Sequence, residues 1–224
     1  MKELWRQGAI RVLLCEAFLD GHSWDAREEA DVELVRKRLG WPTPLRATVQ
    51  VHGTRILSSE EKGDADGFLL GPGDAALIRH ADCFPVAILD SHRNAAALLH
   101  CGWRGAAGHL ARQGVERLLA EGSRCEDLEA VIGPGIGPAD FEVGSEVLDQ
   151  FPTAFHGHTS WGTLSVDLPA FLRQELSQSG VDAARITCDF RSTLGDLQLH
   201  SYRRAGARAG RMATLCLIAP TGGI

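Results

Sequence analysis

The chain reads AAALLHCGWRGAAGHLARQGVERLL from Ala95 to Leu119, and its hydrophobic pattern changes halfway along this stretch. Residues 95–99 form a continuous apolar run, which is typical of a buried β-strand. After Gly105 the apolar residues recur every three or four positions, as they do on one face of an α-helix. They are Ala107, Leu110, Ala111, Gly114, Val115, Leu118 and Leu119. This stretch therefore predicts a strand, a glycine-rich turn that begins at His100, and a helix.

Further strands and helices are predicted on either side of this stretch. Apolar or alternating runs predict strands, and periodic runs that end at glycine or proline predict helices. The predicted strands cover residues 47–52, 75–78, 85–89, 95–99, 130–132 and 213–219. The predicted helices cover residues 25–39, 107–119, 147–151 and about 167–180, the last with Asp167 as its N-cap. Because strands are adjacent in some places and separated by helices in others, we expect an α+β fold with a mixed sheet and flanking helices.

Length, composition and charge exclude several classes of protein. The 224 residues, 44% hydrophobic and 23% charged, predict a single folded domain over residues 1–224. The net charge of −6, without a basic face, argues against nucleic-acid binding. The N-terminal segment lacks the apolar run of a signal peptide or membrane span, so we expect a cytoplasmic protein with no membrane partner. The six cysteines are scattered, which predicts free thiols rather than disulfides.

Three potential metal ligands, His52, Cys83 and His100, lie where predicted strands meet turns. Zinc accepts imidazole nitrogen and thiolate, and a shell of three ligands leaves one position open for water or a substrate oxygen. Taken singly, a buried cysteine is more often a small hydrophobic residue. Cys101 is a less favoured fourth ligand, since neighbours in an extended segment point to opposite faces. Asp82 is a candidate to orient a ligating imidazole, the alternative being a solvated carboxylate.

Two glycine-containing loops are candidates for binding an anion. In residues 102–105, two glycines let the backbone approach a ligand, and Arg104 offers a planar fork for a phosphate or carboxylate. The alternative is that Trp103 fills the core and Arg104 is an ordinary surface charge. The loop that starts at Gly133 can cradle a phosphate, or it is only a sharp turn, because it lacks the lysine of a nucleotide-binding loop.

An ordered set of motifs resembles one known family. The motifs are Gln50-Val51-His52-Gly53, Asp64-Ala65-Asp66-Gly67, Ala81-Asp82-Cys83-Phe84-Pro85, His100-Cys101-Gly102-Trp103-Arg104-Gly105, Gly133-Pro134-Gly135-Ile136, Phe141-Glu142-Val143-Gly144, Val166-Asp167-Leu168 and Ser201-Tyr202-Arg203-Arg204. They resemble the family variously called the multicopper polyphenol oxidase (laccase) domain family, the purine nucleoside phosphorylase family of that fold, and peptidoglycan editing factor. The resemblance covers roughly residues 47–217.

The resemblance implies a zinc enzyme that acts on purine nucleosides. It implies that His52, Cys83 and His100 bind zinc, and copper is a possible substitute in vitro. It implies phosphorolysis of adenosine, inosine or methylthioadenosine, or deamination of adenosine, on two mixed sheets that pack together with flanking helices. Purine nucleoside and phosphate are then the expected partners, and Cys83, His100 and Arg104 the expected catalytic residues. The expected substrate and phosphate contacts are Arg104, Arg203 and Gly133.

The chain also departs from the family pattern. Its N-terminal segment lacks the usual Asn-Leu-Gly stretch and Asn-Arg pair. His80 stands where a small hydroxyl residue is common, and Cys188 stands where threonine is usual. These departures spare the three potential metal ligands and affect the expected walls of the pocket, so they bear on substrate choice.

Three alternative functions are compatible with the same residues. A cysteine amidohydrolase or deamidase, including one that edits a peptidoglycan precursor, would use Cys83 as nucleophile and His100 as base. A copper-dependent polyphenol oxidase is less favoured, because coupled copper sites need many imidazoles and the chain has one His-x-His pair, His156 and His158. A purely structural zinc site is also less favoured, because such sites normally have four protein ligands.

Overall fold

Strands and helices alternate irregularly along the chain in the computed structural model, which describes residues 1–19 and 21–220. The strands are β1 (Lys2–Gln7), β2 (Ile10–Cys15), β3 (Phe18–Leu19), β4 (His22–Ser23), β5 (Ile56–Leu57), β6 (Gly67–Leu70), β7 (Ala75–His80), β8 (Phe84–Asp90), β9 (Ala95–Cys101), β10 (Leu128–Ile132), β11 (His156–His158), β12 (Leu164–Val166), β13 (Ile186–Cys188) and β14 (Met212–Ile218). The helices are α1 (Glu29–Arg38), α2 (Trp103–Ala107), α3 (Leu110–Ala120), α4 (Ser145–Leu148), α5 (Leu168–Gln178) and α6 (Tyr202–Ala205). Within the described ranges, no helix has the length and hydropathy needed to cross a membrane.

A four-stranded sheet and a six-stranded sheet pack against each other. The smaller of them has the strand order β1-β2-β14-β7 and is antiparallel throughout. The larger has the order β13-β10-β8-β9-β6-β5 and is mixed, because its outer pairs β10/β13 and β5/β6 are parallel. The predicted α+β fold, with sheets packed together and flanked by helices, is confirmed.

Strand β9 shows why the larger sheet is encoded by continuous apolar runs. Side chains alternate between the two faces of a strand. Ala96 and Leu98 pack into the core shared with the smaller sheet, whereas Ala97 and Leu99 pack into the core shared with α3 and α5. Helix α1 covers the outer face of the smaller sheet, where it buries Val35. The molecule therefore has four layers, and both faces of the larger sheet exclude water.

The helix predicted from residue 107 is interrupted in the structure. Helix α2 begins at Trp103 and ends at Ala107, and α3 begins only at Leu110. Between them, His109 adopts the left-handed conformation with φ of 60°. A Cβ atom on Gly108 would lie 2.6 Å from the Thr54 side chain, so this close approach requires glycine at the break.

Most other predicted elements are found. The strands predicted at 75–78, 85–89, 95–99, 130–132 and 213–219 correspond to β7, β8, β9, β10 and β14. Asp167 caps α5 as predicted, because its Oδ1 accepts a hydrogen bond from the amide of Ala170 at 3.0 Å.

The strand predicted at residues 47–52 is wrong. The segment instead follows the free edge of β7 in an irregular conformation, with Val49 and Val51 exposed. The Gln50 carboxamide replaces a backbone pair, since its Nε2 donates to the Arg79 carbonyl and its Oε1 accepts from the Arg79 amide, at 2.7 and 2.8 Å. A side chain therefore attaches the segment to the sheet, and this leaves the backbone of His52 free to turn.

Candidate metal centre

His52, Cys83 and His100 converge although they are distant in sequence. One potential ligand atom from each lies within 4.8 Å of those of the others. His100 lies in β9 opposite Pro85 of β8, and Cys83 immediately precedes β8, so strand pairing brings these two together. His52 enters from the segment along β7, and its ring centroid lies 5.0 Å from that of His100. Metal binding by the trio stays a prediction.

The buried carboxylate of Asp66 organises this cluster. Its Oδ1 accepts hydrogen bonds from the His52 amide and from His100 Nδ1, both at 2.9 Å. Its Oδ2 accepts from the amides of Gly53 at 2.7 Å and Val51 at 3.2 Å. These bonds hold His52 in the left-handed conformation, with φ of 59°, which non-glycine residues seldom adopt.

Asp66 also sets the tautomer of His100. Burial raises the pKa of Asp66, but the hydrogen bonds from His100 and from the amides of Gly53 and Val51 outweigh burial and hold this pKa below its ordinary value. The carboxylate is therefore ionised and keeps a proton on His100 Nδ1. Nε2 is left as the ring nitrogen available to an ion, an arrangement common among metal-ligating histidines.

Cys83 and His100 shift each other's proton affinity. Burial raises the pKa of Cys83, but hydrogen bonds with His100 and His52 outweigh it and lower the pKa to about 6. Burial lowers the pKa of His100, but hydrogen bonds with Asp66 and Cys83 raise it to about 9. The metal-free pair is thus a thiolate beside an imidazolium, and the thiolate is the form that binds metals or attacks carbonyl carbons.

Gly102 provides the space in which the ligand atoms meet. A Cβ atom there would lie 2.9 Å from Cys83 Sγ and 3.3 Å from His52 Cδ2. Two imidazoles and one thiolate suit zinc and related borderline-soft ions. Donor chemistry and available space therefore fit a metal held by three protein ligands, with room for a substrate.

The cluster opens into a cavity of about 670 Å³. Apolar and aromatic walls are contributed by Ile136, Phe141 and Tyr202. Four arginines also line the cavity, and they are Arg27, Arg79, Arg203 and Arg211. A volume of this size is typical of small-molecule sites that combine apolar walls with a few polar groups.

One of the three predicted substrate contacts lines the cavity, and the other two do not. Arg203 lines the cavity, and its Nη2 donates to the Glu142 carbonyl at 3.0 Å. Arg104 is exposed and does not line the cavity, because its guanidinium stacks 4.2 Å from the ring centre of Trp103. Gly133 also lies outside the cavity lining, and a Cβ atom there would meet Pro85 Cγ at 2.7 Å. Packing between neighbouring strands therefore explains this glycine, and the substrate roles of all three residues stay predictions.

Two subsidiary expectations are resolved by hydrogen bonding and burial. Asp82 does not orient an imidazole, because its Oδ1 accepts from Thr193 Oγ1 at 2.6 Å and its Oδ2 from the Arg203 amide at 2.7 Å. Asp66 fills that role instead. Cys101 is buried in the core shared with the helices and is not part of the ligand cluster, as its alternation with His100 predicts.

His80, one of the departures from the family pattern, is a buried residue at the cavity wall. Its Nε2 lies 3.0 Å from Thr214 Oγ1 on the neighbouring strand. Burial, followed by the nearby His100 and His200, lowers the pKa of His80 to about 3. The imidazole is therefore uncharged at neutral pH and adds no cation to the site.

Sequence reasoning assigned no role to three residues that shape the site: Asp66, Arg79 and Arg211. Asp66 lies in the motif Asp64-Ala65-Asp66-Gly67, directly before β6, and a carboxylate beside a buried strand is itself a signal of a structural or functional role. Arg79 carries no local signal, and Arg211 lies in an arginine-rich stretch that does not show which side chain lines a cavity. Both positions depend on the pairing of β7 with β14.

The chain is similar to a known protein family and to several known proteins. Residues 19–219 match the family model described as multi-copper polyphenol oxidoreductase laccase. A purine nucleoside phosphorylase of Deinococcus radiodurans is 33% identical over 173 residues, which is 73% of this chain and 66% of that protein. An adenosine deaminase of an unknown prokaryotic organism is 33% identical over 145 residues, covering 61% of this chain and 55% of its own length. A crystal structure of a Neisseria meningitidis protein superposes with a TM-score of 0.83 at 25% identity, covering 97% of this chain and 98% of that one.

Proposed function

Since the chain belongs to the multi-copper polyphenol oxidoreductase laccase family, we propose that residues 1–224 form one domain of this type that acts as a zinc-dependent purine nucleoside enzyme. Its reaction is phosphorolysis of adenosine, inosine or methylthioadenosine, deamination of adenosine, or both. The observation that carries this proposal is the convergence of two imidazoles and a thiolate at a cavity large enough for a small molecule. The names of the relatives in both activity classes support it.

In this proposal His52, Cys83 and His100 hold the zinc ion, which when bound supplies a Lewis acid at this point of the cavity. Asp66 keeps the proton on His100 Nδ1, so that this ring does not change tautomer during turnover. Phe141 and Ile136 offer apolar surface to a purine ring and exclude water from one side of it.

Charge in the cavity suits phosphorolysis, the first of the two reactions. In phosphorolysis an oxygen of monohydrogen phosphate forms a bond to the ribose anomeric carbon while the bond from that carbon to the purine nitrogen breaks, and the proton that the phosphate loses ends on the purine. In deamination, water adds to the purine ring carbon and ammonia leaves. The Arg203 guanidinium balances phosphate charge in the first reaction. Arg104, which lies outside the cavity lining, would act only through the backbone of its turn.

A product assay tests the proposal. Zinc-loaded protein is incubated with adenosine, inosine or methylthioadenosine, with and without phosphate, and products are separated by chromatography. We expect phosphate-dependent release of free base, inosine from adenosine, or both, and loss of these products in Cys83→Ala. If no nucleoside gives either product, the proposed function is wrong.

One observation favours a second candidate, a cysteine amidohydrolase or deamidase. The thiolate of Cys83 beside the imidazolium of His100 is the pair that thiol hydrolases use as nucleophile and acid-base group. Chelation and alkylation separate the two functions. A zinc enzyme loses activity in a chelator and regains it with zinc, whereas a thiol hydrolase works in chelator and is inactivated by iodoacetamide.

A copper-dependent polyphenol oxidase is not proposed. In the described ranges, His52, Cys83 and His100 form the one cluster of at least three side chains able to hold an ion. A coupled copper centre needs several such groups of imidazoles. The pair His156 and His158 lies in β11 and does not join the cluster.

A further inference from the structure

The arginines of the cavity differ in how their charge is compensated. Arg27 forms an ion pair with Asp25 at 2.6 Å. Arg79, Arg203 and Arg211 have no carboxylate oxygen within 4.0 Å among the described residues, although the chain as a whole carries a net charge of −6. Four arginines and one carboxylate, that of Asp82, line the cavity, so positive charge is in excess there and favours an anion.

Arg79 is held in place by neutral acceptors. Its Nε donates to the Ala26 carbonyl at 2.8 Å and its Nη1 to the Thr48 carbonyl at 3.4 Å. The residue is partly buried, and desolvation lowers the pKa of its guanidinium from 12.5, although the group stays protonated at neutral pH. The nearby Asp25 carboxylate raises this pKa by a smaller amount, so it offsets only part of the cost of desolvating Arg79, and an anionic ligand would offset more of that cost.

Arg211 and Arg203 are oriented in the same manner. Arg211 Nη1 donates to the carbonyls of Ala209 and Gly210 at 2.8 and 3.0 Å, and its guanidinium lies 5.6 Å from the ring centre of Tyr202. The Arg203 guanidinium lies 5.8 Å from the ring centre of Phe141. Uncharged groups, namely carbonyl oxygens and ring faces, therefore position both side chains.

Strand pairing explains why these residues share one wall. Arg79 is the penultimate residue of β7 and lies opposite Ala213 of β14. Arg211 directly precedes β14, so it lies beside the end of β7. Asp82 accepts the backbone amide of Arg203 and directly precedes Cys83. Backbone pairing therefore places these three residues near the turn that carries Cys83, one of the potential metal ligands.

We propose that Arg79, Arg203 and Arg211 form a phosphate subsite inside the cavity. Guanidinium groups match phosphate oxygens in geometry and charge, and phosphate dianions are commonly bound in proteins by several arginines. The phosphate is either inorganic phosphate or the phosphate ester of a nucleotide. The part that this phosphate plays in a reaction rests on the proposed function, whereas the binding of phosphate at this subsite does not. Arg79 and Arg211 thereby take the phosphate-binding role that the sequence suggested for Arg104.

Binding of inorganic phosphate to the zinc-loaded protein, measured by titration calorimetry, tests the subsite without turnover. Arg79→Gln and Arg211→Gln remove one guanidinium each, and each is expected to weaken binding by at least about tenfold, as loss of a charged hydrogen-bonding group does. Arg117→Gln is the matched control, because Arg117 is exposed on α3 and does not line the cavity. We expect it to bind phosphate within about twofold of the parent protein, as charge changes outside a site do when screened by salt.

Circular dichroism and thermal unfolding check that each variant is folded. If Arg79→Gln does not fold, Arg203→Gln replaces it, because Arg203 is exposed and its guanidinium makes a single hydrogen bond to a carbonyl. Phosphate binding that is absent from the parent protein, or equal in the parent, the cavity variants and Arg117→Gln, overturns the subsite.

A second arm separates the sources of phosphate. Adenosine and adenosine monophosphate are titrated into the same zinc-loaded protein. A phosphate ester is identified if the nucleotide binds at least about tenfold more tightly than the nucleoside and this difference disappears in Arg79→Gln. Free phosphate is identified if the two bind alike and phosphate binds beside adenosine. If phosphate binds but neither free base nor ammonia is released, the proposed function is contradicted and the subsite is not, because the titration measures binding without any reaction.

Discussion

At the scale of single residues, one carboxylate does most to shape the candidate metal centre. Asp66 accepts four hydrogen bonds, from His100 Nδ1 and from the amides of residues 51–53. It thereby determines both a histidine tautomer and the path of the segment that carries His52. Neither effect needs a contact between Asp66 and a metal or substrate.

Asp66→Asn is expected to weaken zinc binding by about 10- to 100-fold, the usual effect of removing a partner behind a ligating histidine. Asparagine has one acceptor oxygen in place of two and cannot accept from all four donors. Zinc affinity is measured by competition with a chromogenic chelator. The control is Asp64→Asn, which changes an exposed carboxylate in the same loop. Equal zinc affinity in the two variants would contradict the role of Asp66.

Gly102→Ala tests whether the three ligand atoms must approach one another. The new methyl group would lie 2.9 Å from Cys83 Sγ, so the sulfur or the backbone must move. The backbone conformation itself is accessible to alanine, with φ of −75°. We expect at least about tenfold weaker zinc binding in a folded protein, comparable to other losses of ligand orientation. Gly71→Ala, where the methyl group meets open space, should bind zinc like the parent protein.

At the scale of elements, the segment after β13 connects the N-terminal strands with the site. Arg191 pairs with Asp189 at 2.8 Å and with Glu16 at 2.6 Å. Lys2 of β1 pairs with the same Asp189 at 3.0 Å. Two residues beyond Arg191, Thr193 donates to Asp82 beside Cys83. This ion network therefore supports the irregular segment that leads to the site.

The network predicts how stability depends on pH. Burial raises the pKa of Asp189, but hydrogen bonds from Arg191 and Lys2 outweigh it and lower the pKa to about 2, against 3.8 in the unfolded chain. A lowered pKa in the folded state adds stability above pH 3.8 that is lost as the pH falls toward 2. We expect Asp189→Asn to cost about 1–2 kcal/mol at pH 7 and progressively less below pH 4.

Urea unfolding of the parent protein and Asp189→Asn across this pH range measures the difference. A difference in unfolding free energy that stays constant from pH 7 to pH 2.5 would show that the ionised pair does not act as described.

At the scale of the whole molecule, the candidate ligands join parts of the fold that strand pairing alone leaves separate. His100 belongs to the larger sheet, Cys83 to the connection between the two sheets, and His52 to the irregular segment along β7. An ion bound to all three links these parts in the folded state and has no comparable site in the unfolded chain.

Zinc is therefore expected to stabilise the folded protein. At a free concentration 100 times the dissociation constant, ligand binding adds about 2.7 kcal/mol, which raises the melting temperature by about 5–10 °C for a protein of this size. Thermal unfolding with and without zinc checks this, and a chelator should reverse the shift. Magnesium, which prefers oxygen ligands, should have no such effect. An equal zinc shift in the parent protein and in Cys83→Ala would place the ion elsewhere.

The sequence predicted the elements whose hydrophobic period is clear. The continuous run of β9 and the three-and-four spacing of α3 reflect burial on two faces and on one face, and both are properties of local sequence. The segment at residues 47–52 has the alternation of a strand, but Gln50 attaches it to β7 through a side chain. Alternation in the sequence does not show whether a segment pairs with a sheet edge through its backbone, as a strand does, or through a side chain, as Gln50 does.

By itself the sequence determined the α+β class, the helix that follows β9, and the residue types able to bind a borderline-soft ion. Those features depend on local periodicity and on side-chain chemistry. Only the tertiary structure decided that Asp66 rather than Asp82 orients His100, and that Arg79 and Arg211 rather than Arg104 face the cavity. The physical reason is that hydrogen bonds and charge compensation act over a few ångströms in space, and strand pairing brings together residues that are tens of positions apart in the chain.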